Sequence, residues 1–219
     1  MNKRPTRSSI TDKWQQVDAS NPDAAAIDQA AAIIRRGGVV VFPTRGLYGL
    51  GADALNPEAV DRVFRIKQRS AEKPISVLIR DLQDLADLVK AVDSSVKRLI
   101  DHFWPGKLTI ILEAAEGVPQ GLTGGSGKLG LRIPGHPVAR ALVNAVGRPI
   151  TATSANLSGV PGCSDLADLS ERVACEAEMI IDAGQLEGGR GSTVIDATVS
   201  PPVILREGAV SAEAIQSFG

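Results

Sequence analysis

The chain has 219 residues, 43% of them hydrophobic and 22% charged, with a formal net charge of -1, a make-up suited to a globular protein with room for a sizeable core. Aromatics at 3% exclude an aromatic platform for stacking single-stranded bases, and the near-neutral balance excludes a general nucleic-acid coat. Cys163 and Cys175 are the only cysteines and His102 and His136 the only histidines, with neither CxxC spacing nor a Cys/His cluster, so no disulfide framework or structural zinc site is expected and a reducing, cytoplasmic setting is.

In chain order, residues 1–20 read as an N-terminal arm, too polar after Lys3, Arg4 and Arg7 for a signal peptide. Residues 21–219 read as one domain. Asn21-Pro22-Asp23 predicts a helix start with Pro at the first helical position, followed by the stripe Ile27, Ala30, Ala31, Ile34 and a stop at Gly37-Gly38. The all-apolar run 39–42 predicts a strand covered on both faces. The glycine-rich segment 42–53 reads either as a tight strand-to-helix turn or as a loop whose backbone N–H groups cradle an anion; it is neither a Walker A motif nor GxGxxG. Asn56-Pro57 predicts a second helix with Val60, Val63 and Phe64 on its buried face.

Residues 75–79 predict a strand, 82–92 and 96–104 helices, 108–112 and 129–133 strands, and 138–146 a helix stopped by Gly147. A strand over 149–153, a helix over 166–174, strands at 179–181, 193–196 and 203–205, and a short helix near 212–218 complete the chain. No run is apolar for long enough to cross a bilayer. Helices and strands mix without a linker or repeat, which predicts a single α/β domain with a twisted mixed sheet and flanking helices.

The candidate chemistry lies in loops. Lys67, Arg69, Lys73, Lys107, Lys128, Arg132 and Arg206 stand at turns and strand ends where acidic residues are sparse. Gathered together they suit a polyphosphate; taken singly, each reads equally as solvated surface charge. Lys67 and Arg69 also fall where a helix C-terminal dipole favours cations. The hydroxyls and amide of 151–159 either orient a polar ligand or form a plain Ser/Asn turn. His102 falls in an amphipathic helix, His136 at a helix start suited to capping, and Cys163 has no activating base. An enzyme built this way works by positioning and charge stabilisation.

Together these segments resemble the YrdC family, the threonylcarbamoyl-AMP synthases. The resemblance rests on P-T-x-x-x-Y-G-L-G at 43–51, K-x-R at 67–69, W-P-G-x-L-T at 104–109, L-R-x-P-x-H-P at 131–137, S-x-N-x-S-G at 154–159, S-T-V-I-D at 192–196 and R-E-G at 206–208. It implies an α/β domain around a concave basic cleft. It also implies a nucleotidyltransferase that forms threonylcarbamoyl-AMP and pyrophosphate from L-threonine, bicarbonate and ATP, for threonylcarbamoyladenosine in tRNA. Mg²⁺ would be held by phosphates and water rather than by protein ligands, and tRNA and later enzymes of that modification would be partners.

Carried over residue by residue, Lys67 and Arg69 are the expected catalytic cations. ATP is expected at Lys67, Arg69, Lys73, Lys128, Asn156, Ser164 and Arg206, and threonine at Thr44, Tyr48, Arg132, Ser154 and Ser192. Two other readings are an RNA-binding module using the same cleft without catalysis, and a carbamoyl-adenylate enzyme with another acceptor. The chain departs from the family at Arg45-Gly46, where P-T-E-T is common, at Lys73 and at Leu78. It also lacks the additional C-terminal domain of longer relatives, so a lid is expected from its own loops or the arm.

Overall fold

The computed structural model describes residues 13–217. The first half of the chain runs β1 (Trp14–Gln16), α1 (Ala24–Arg35), β2 (Val40–Pro43), β3 (Tyr48–Gly51), α2 (Pro57–Lys67), β4 (Ser76–Leu78), α3 (Leu85–Leu88), α4 (Ser94–Phe103) and β5 (Leu108–Glu113). It continues with α5 (Gln120–Thr123), β6 (Lys128–Arg132), α6 (Pro137–Val146), β7 (Ile150–Ser154), α7 (Glu171–Glu176), β8 (Met179–Asp182), β9 (Thr193–Asp196), β10 (Val203–Arg206) and α8 (Ala212–Gln216). The strands form one mixed sheet in the order β1-β8-β2-β3-β7-β4-β6-β5-β9-β10. Among the described residues no helix is long and apolar enough to cross a membrane.

Helices cover both faces, and the strand alternation shows it. Val39 and Val41 point into the larger core with Val60, Val63 and Phe64 of α2, while Val40 and Phe42 point the other way, onto Ile27 and Ile34 of α1 and Leu142 of α6. This two-sided burial is why the run is uniformly apolar. Helix ends follow local chemistry. Asn56 Oδ1 accepts from the Glu58 and Ala59 N–H groups, Pro57 opens α2, and Gln68 at φ 50° turns the chain out of it. His136 Nδ1 accepts from the Val138 N–H at 3.2 Å, the capping role its place before Pro137 suggested.

Several boundaries differ from the sequence reading. The expected arm is part of the sheet over Trp14–Gln16, where β1 pairs in parallel with β8; residues 1–12 lie outside the described residues. Helix α1 is capped by Asp23, which accepts from the Ala25 and Ala26 N–H groups, so Pro22 precedes it. The stretch 82–92 holds only a 3₁₀ turn at Leu82–Asp84 and the single turn α3. The stretch 166–174 is divided likewise, because Ser170 caps a fresh start at α7.

The glycine-rich segment is a hairpin rather than a strand-to-helix turn. β2 and β3 pair antiparallel, Phe42 opposite Gly49. A Cβ at Gly51 would lie 2.9 Å from Phe42 Cε1, so that glycine makes room for a buried ring.

Candidate active site

The hairpin turn 44–47 ends above a cavity of about 570 Å³ whose wall is completed by the ends of β4, β6, β7 and β10 and by the loop 187–192. Arg45, Arg69, Lys107, Lys128, Arg132, Arg190 and Arg206 line it, and Glu187 and Asp196 are the carboxylates among its lining residues. Sheet order explains how distant motifs meet. β6 lies between β4 and β5, and β5 is followed by β9 and β10, with Leu78 opposite Arg132 and Val194 opposite Arg206, so segments distant in sequence meet on one wall.

Arg132 ends β6, in register with Leu78 of β4. Its Nε is buried with no hydrogen-bond partner. Burial, helped by the nearby charge of Arg206, pushes the guanidinium down to about 10. A half-buried cation left with an unpaired buried donor is costly, and an anionic ligand relieves that cost. Beside it, Arg206 donates from Nη2 and Nε to the Ser192 carbonyl at 2.7 and 3.3 Å. Ser192 Oγ shares a 2.7 Å hydrogen bond with Thr109 Oγ1.

Arg69 is held by its Nε on the Lys73 carbonyl at 3.1 Å and its Nη2 on the Pro74 carbonyl at 2.9 Å. Burial lowers the pKa of both Arg69 and Arg206. Lys128 pairs with Asp196 at 2.8 Å. Thr44, Tyr48 and Ser154 complete the expected residues found on the wall. The Thr44 hydroxyl donates to the Leu47 carbonyl. Tyr48 Oη donates to the Gly184 carbonyl at 2.6 Å and accepts from the Ala183 N–H at 3.1 Å. Burial pushes that phenol up to about 12. It stays protonated and ties the hairpin to the loop after β8.

Lys67 stands apart from the other expected cations. It is 1% exposed and absent from the cavity wall. Its Nζ donates to the Ser154 carbonyl, to the Asn156 carbonyl at 2.8 Å and to Asn156 Oδ1 at 3.0 Å. Burial, then the charge of Arg69, pushes it down to about 8. All its donors serve the Ser/Asn loop, so in this structure its ammonium fastens that loop from behind the cavity wall. Asn156 is likewise engaged, through Ser154 Oγ, Lys67 and the Leu157 and Val160 carbonyls. Lys73 and Ser164 also lie off the cavity wall; the Ser164 carbonyl holds the Leu186 N–H at 2.9 Å.

Glu187 and Arg190 were missed by sequence reasoning. The glycine density of 184–191, immediately before S-T-V-I-D, was the available signal.

The Sua5/YciO/YrdC family, described as telomere recombination, matches residues 32–208. The chain belongs to this family. The threonylcarbamoyl-AMP synthase of Pyrococcus abyssi is 42% identical to it over 187 residues, 85% of this chain and 55% of that protein. The crystal structure of P. abyssi Sua5 complexed with L-threonine superposes with a TM-score of 0.90 at 39% identity, over 94% of this chain and 60% of that one. The crystal structure of Escherichia coli YciO superposes with a TM-score of 0.84 at 34% identity, over 92% of this chain and 98% of that one. The chain thus spans little more than half the length of the P. abyssi protein and nearly all of YciO, and shares the α/β fold of both.

Proposed function

We propose that this family member is a nucleotidyltransferase that makes threonylcarbamoyl-AMP and pyrophosphate from L-threonine, bicarbonate and ATP, supplying tRNA threonylcarbamoyladenosine modification in the cytoplasm. The observation that carries the reading is Arg132: a guanidinium in the cavity whose buried Nε has no partner, matching the need to hold an α-carboxylate. The P. abyssi relative complexed with L-threonine supports the choice of amino acid.

In this reading the threonine carboxylate seats on Arg132, with Ser192 beside it. Bicarbonate carboxylates the threonine amine, the new C–N bond replacing a C–O bond as water leaves, and a carboxylate oxygen of the resulting carbamate attacks the α-phosphorus. The bond to the β-phosphate oxygen breaks and pyrophosphate leaves with its electron pair. Both partners are anionic, so Arg69 and Arg206 lower their repulsion and hold the nucleotide. Among the described residues no three His, Cys, Asp or Glu side chains converge to hold a metal ion, and Asp196 is already paired with Lys128. In this reading Mg²⁺ arrives on the nucleotide phosphates as part of the substrate.

A different amine acceptor is the second reading, favoured by Gly46 and Leu78. A Cβ at Gly46 would meet the Gly188 carbonyl oxygen at 2.7 Å, so backbone occupies the place of a side chain, and the fully buried Leu78 flanks Arg132. Incubation with ATP, Mg²⁺, bicarbonate and a panel of amino acids separates the two. Threonine-dependent adenylate and pyrophosphate are expected. Product with another amine only would shift the assignment to that acceptor, and none with any would end both.

A further inference from the structure

Glu187 is a carboxylate at the mouth of a cavity otherwise suited to anions. Its Oε1 lies 3.1 Å from Arg45 Nε and its Oε2 3.8 Å from Lys107 Nζ, so one negative charge bridges two positive ones. His136 is close enough to feel it: burial lowers the pKa of that imidazole and the Glu187 charge opposes the shift. The backbone on either side is anchored. The Leu186 N–H donates to the Ser164 carbonyl at 2.9 Å and the Gly188 N–H to the Gly46 carbonyl at 3.0 Å. Gly46 permits this approach, since any side chain there would strike the Gly188 carbonyl. The segment therefore presents Glu187 from a fixed position, and only its side chain needs to move.

The side chains of Arg45 and Glu187 are 55% and 57% exposed. Such a pair is worth at most about 1 kcal/mol, weak enough for a ligand of several negative charges to break. A ligand of a single charge gains no more from the two cations than Glu187 already does.

We infer that Glu187 is a resident counter-anion of the site: it occupies Arg45 and Lys107 in the free protein and is displaced by the polyphosphate chain of the nucleotide. This rests on reading the cavity as a nucleotide site. Glu187 thereby acts as a selectivity residue, favouring polyphosphate over singly charged anions and keeping the two cations from holding such anions in its absence.

The test is calorimetric titration of inorganic tripolyphosphate into the wild-type protein, Glu187→Gln, Arg45→Gln and the double variant at low salt. Glu187→Gln is expected to bind tripolyphosphate about three- to fivefold more tightly, the equivalent of one exposed ion pair. Arg45→Gln is expected to weaken binding more in the Glu187→Gln background than in the wild type, because only there is the guanidinium free before binding. Unchanged or weaker binding by Glu187→Gln, or equal losses from Arg45→Gln in both backgrounds, overturns the counter-anion role. If the wild type still binds tripolyphosphate and ATP in that case, the nucleotide reading stands; if none of the four proteins binds tripolyphosphate, both fall.

Discussion

Lys67 ends α2 and Arg132 ends β6, and Lys67 Nζ and Arg132 Nε are both withdrawn from water. Their surroundings are opposite. Lys67 gives its ammonium to the Ser154 and Asn156 carbonyls and to Asn156 Oδ1, which fastens the end of α2 to the loop after β7. Arg132 lines the cavity and leaves a buried Nε with no hydrogen-bond partner. A satisfied buried cation holds a fold together, whereas one left short of partners is a site that a ligand completes. A motif match makes the two residues look alike; only hydrogen-bond partners tell them apart.

Substitution should therefore separate them in opposite directions. The largest effect is expected from Arg132→Met, with kcat/KM for threonine falling by about a hundredfold or more, as when a buried charged contact loses one partner. Its melting temperature should hold or rise, because a buried donor without a partner has been removed. Lys67→Met should do the reverse, lowering stability by about 3 kcal/mol in urea unfolding by orphaning buried carbonyls. Equal stability losses for the two variants would erase the distinction.

Arg69 stands between these extremes, on the cavity wall yet tied to the Lys73 and Pro74 carbonyls. Arg69→Ala is expected to weaken ATP binding about tenfold by titration, the loss of one charge-assisted contact, and to affect threonine less. A separate effect is a pH dependence. Lys67 sits at about 8 in the folded protein against an ordinary 10.5, so between those values the unfolded chain binds more protons and stability rises with pH. Below pH 8 both states are protonated and the contribution is flat. Urea unfolding from pH 8 to 10 should show the wild type gaining stability that Lys67→Met does not.

Much of the architecture was legible because its causes are local. The segment 193–196 matches β9 end to end, and Asn56-Pro57 opens α2 as its capping chemistry dictates. β3 was not legible, because its glycines read as a turn when one of them makes room for the Phe42 ring. β1 escaped notice as three residues in a polar stretch, stabilised by the distant β8. In the site, the convergence of Arg69, Lys107, Lys128, Arg132 and Arg206 followed the motifs. The direction of the Lys67 ammonium and the place of Glu187 did not, since both depend on contacts between segments about ninety residues apart or more.

The most direct test compares binding of L-threonine with that of L-threoninol, which keeps the amine and side chain but lacks the carboxylate, to the wild-type protein and to Arg132→Met. The wild type should bind threonine far more tightly than threoninol, and Arg132→Met should bind both equally weakly. Retention of full threonine affinity and preference in folded Arg132→Met would contradict the account.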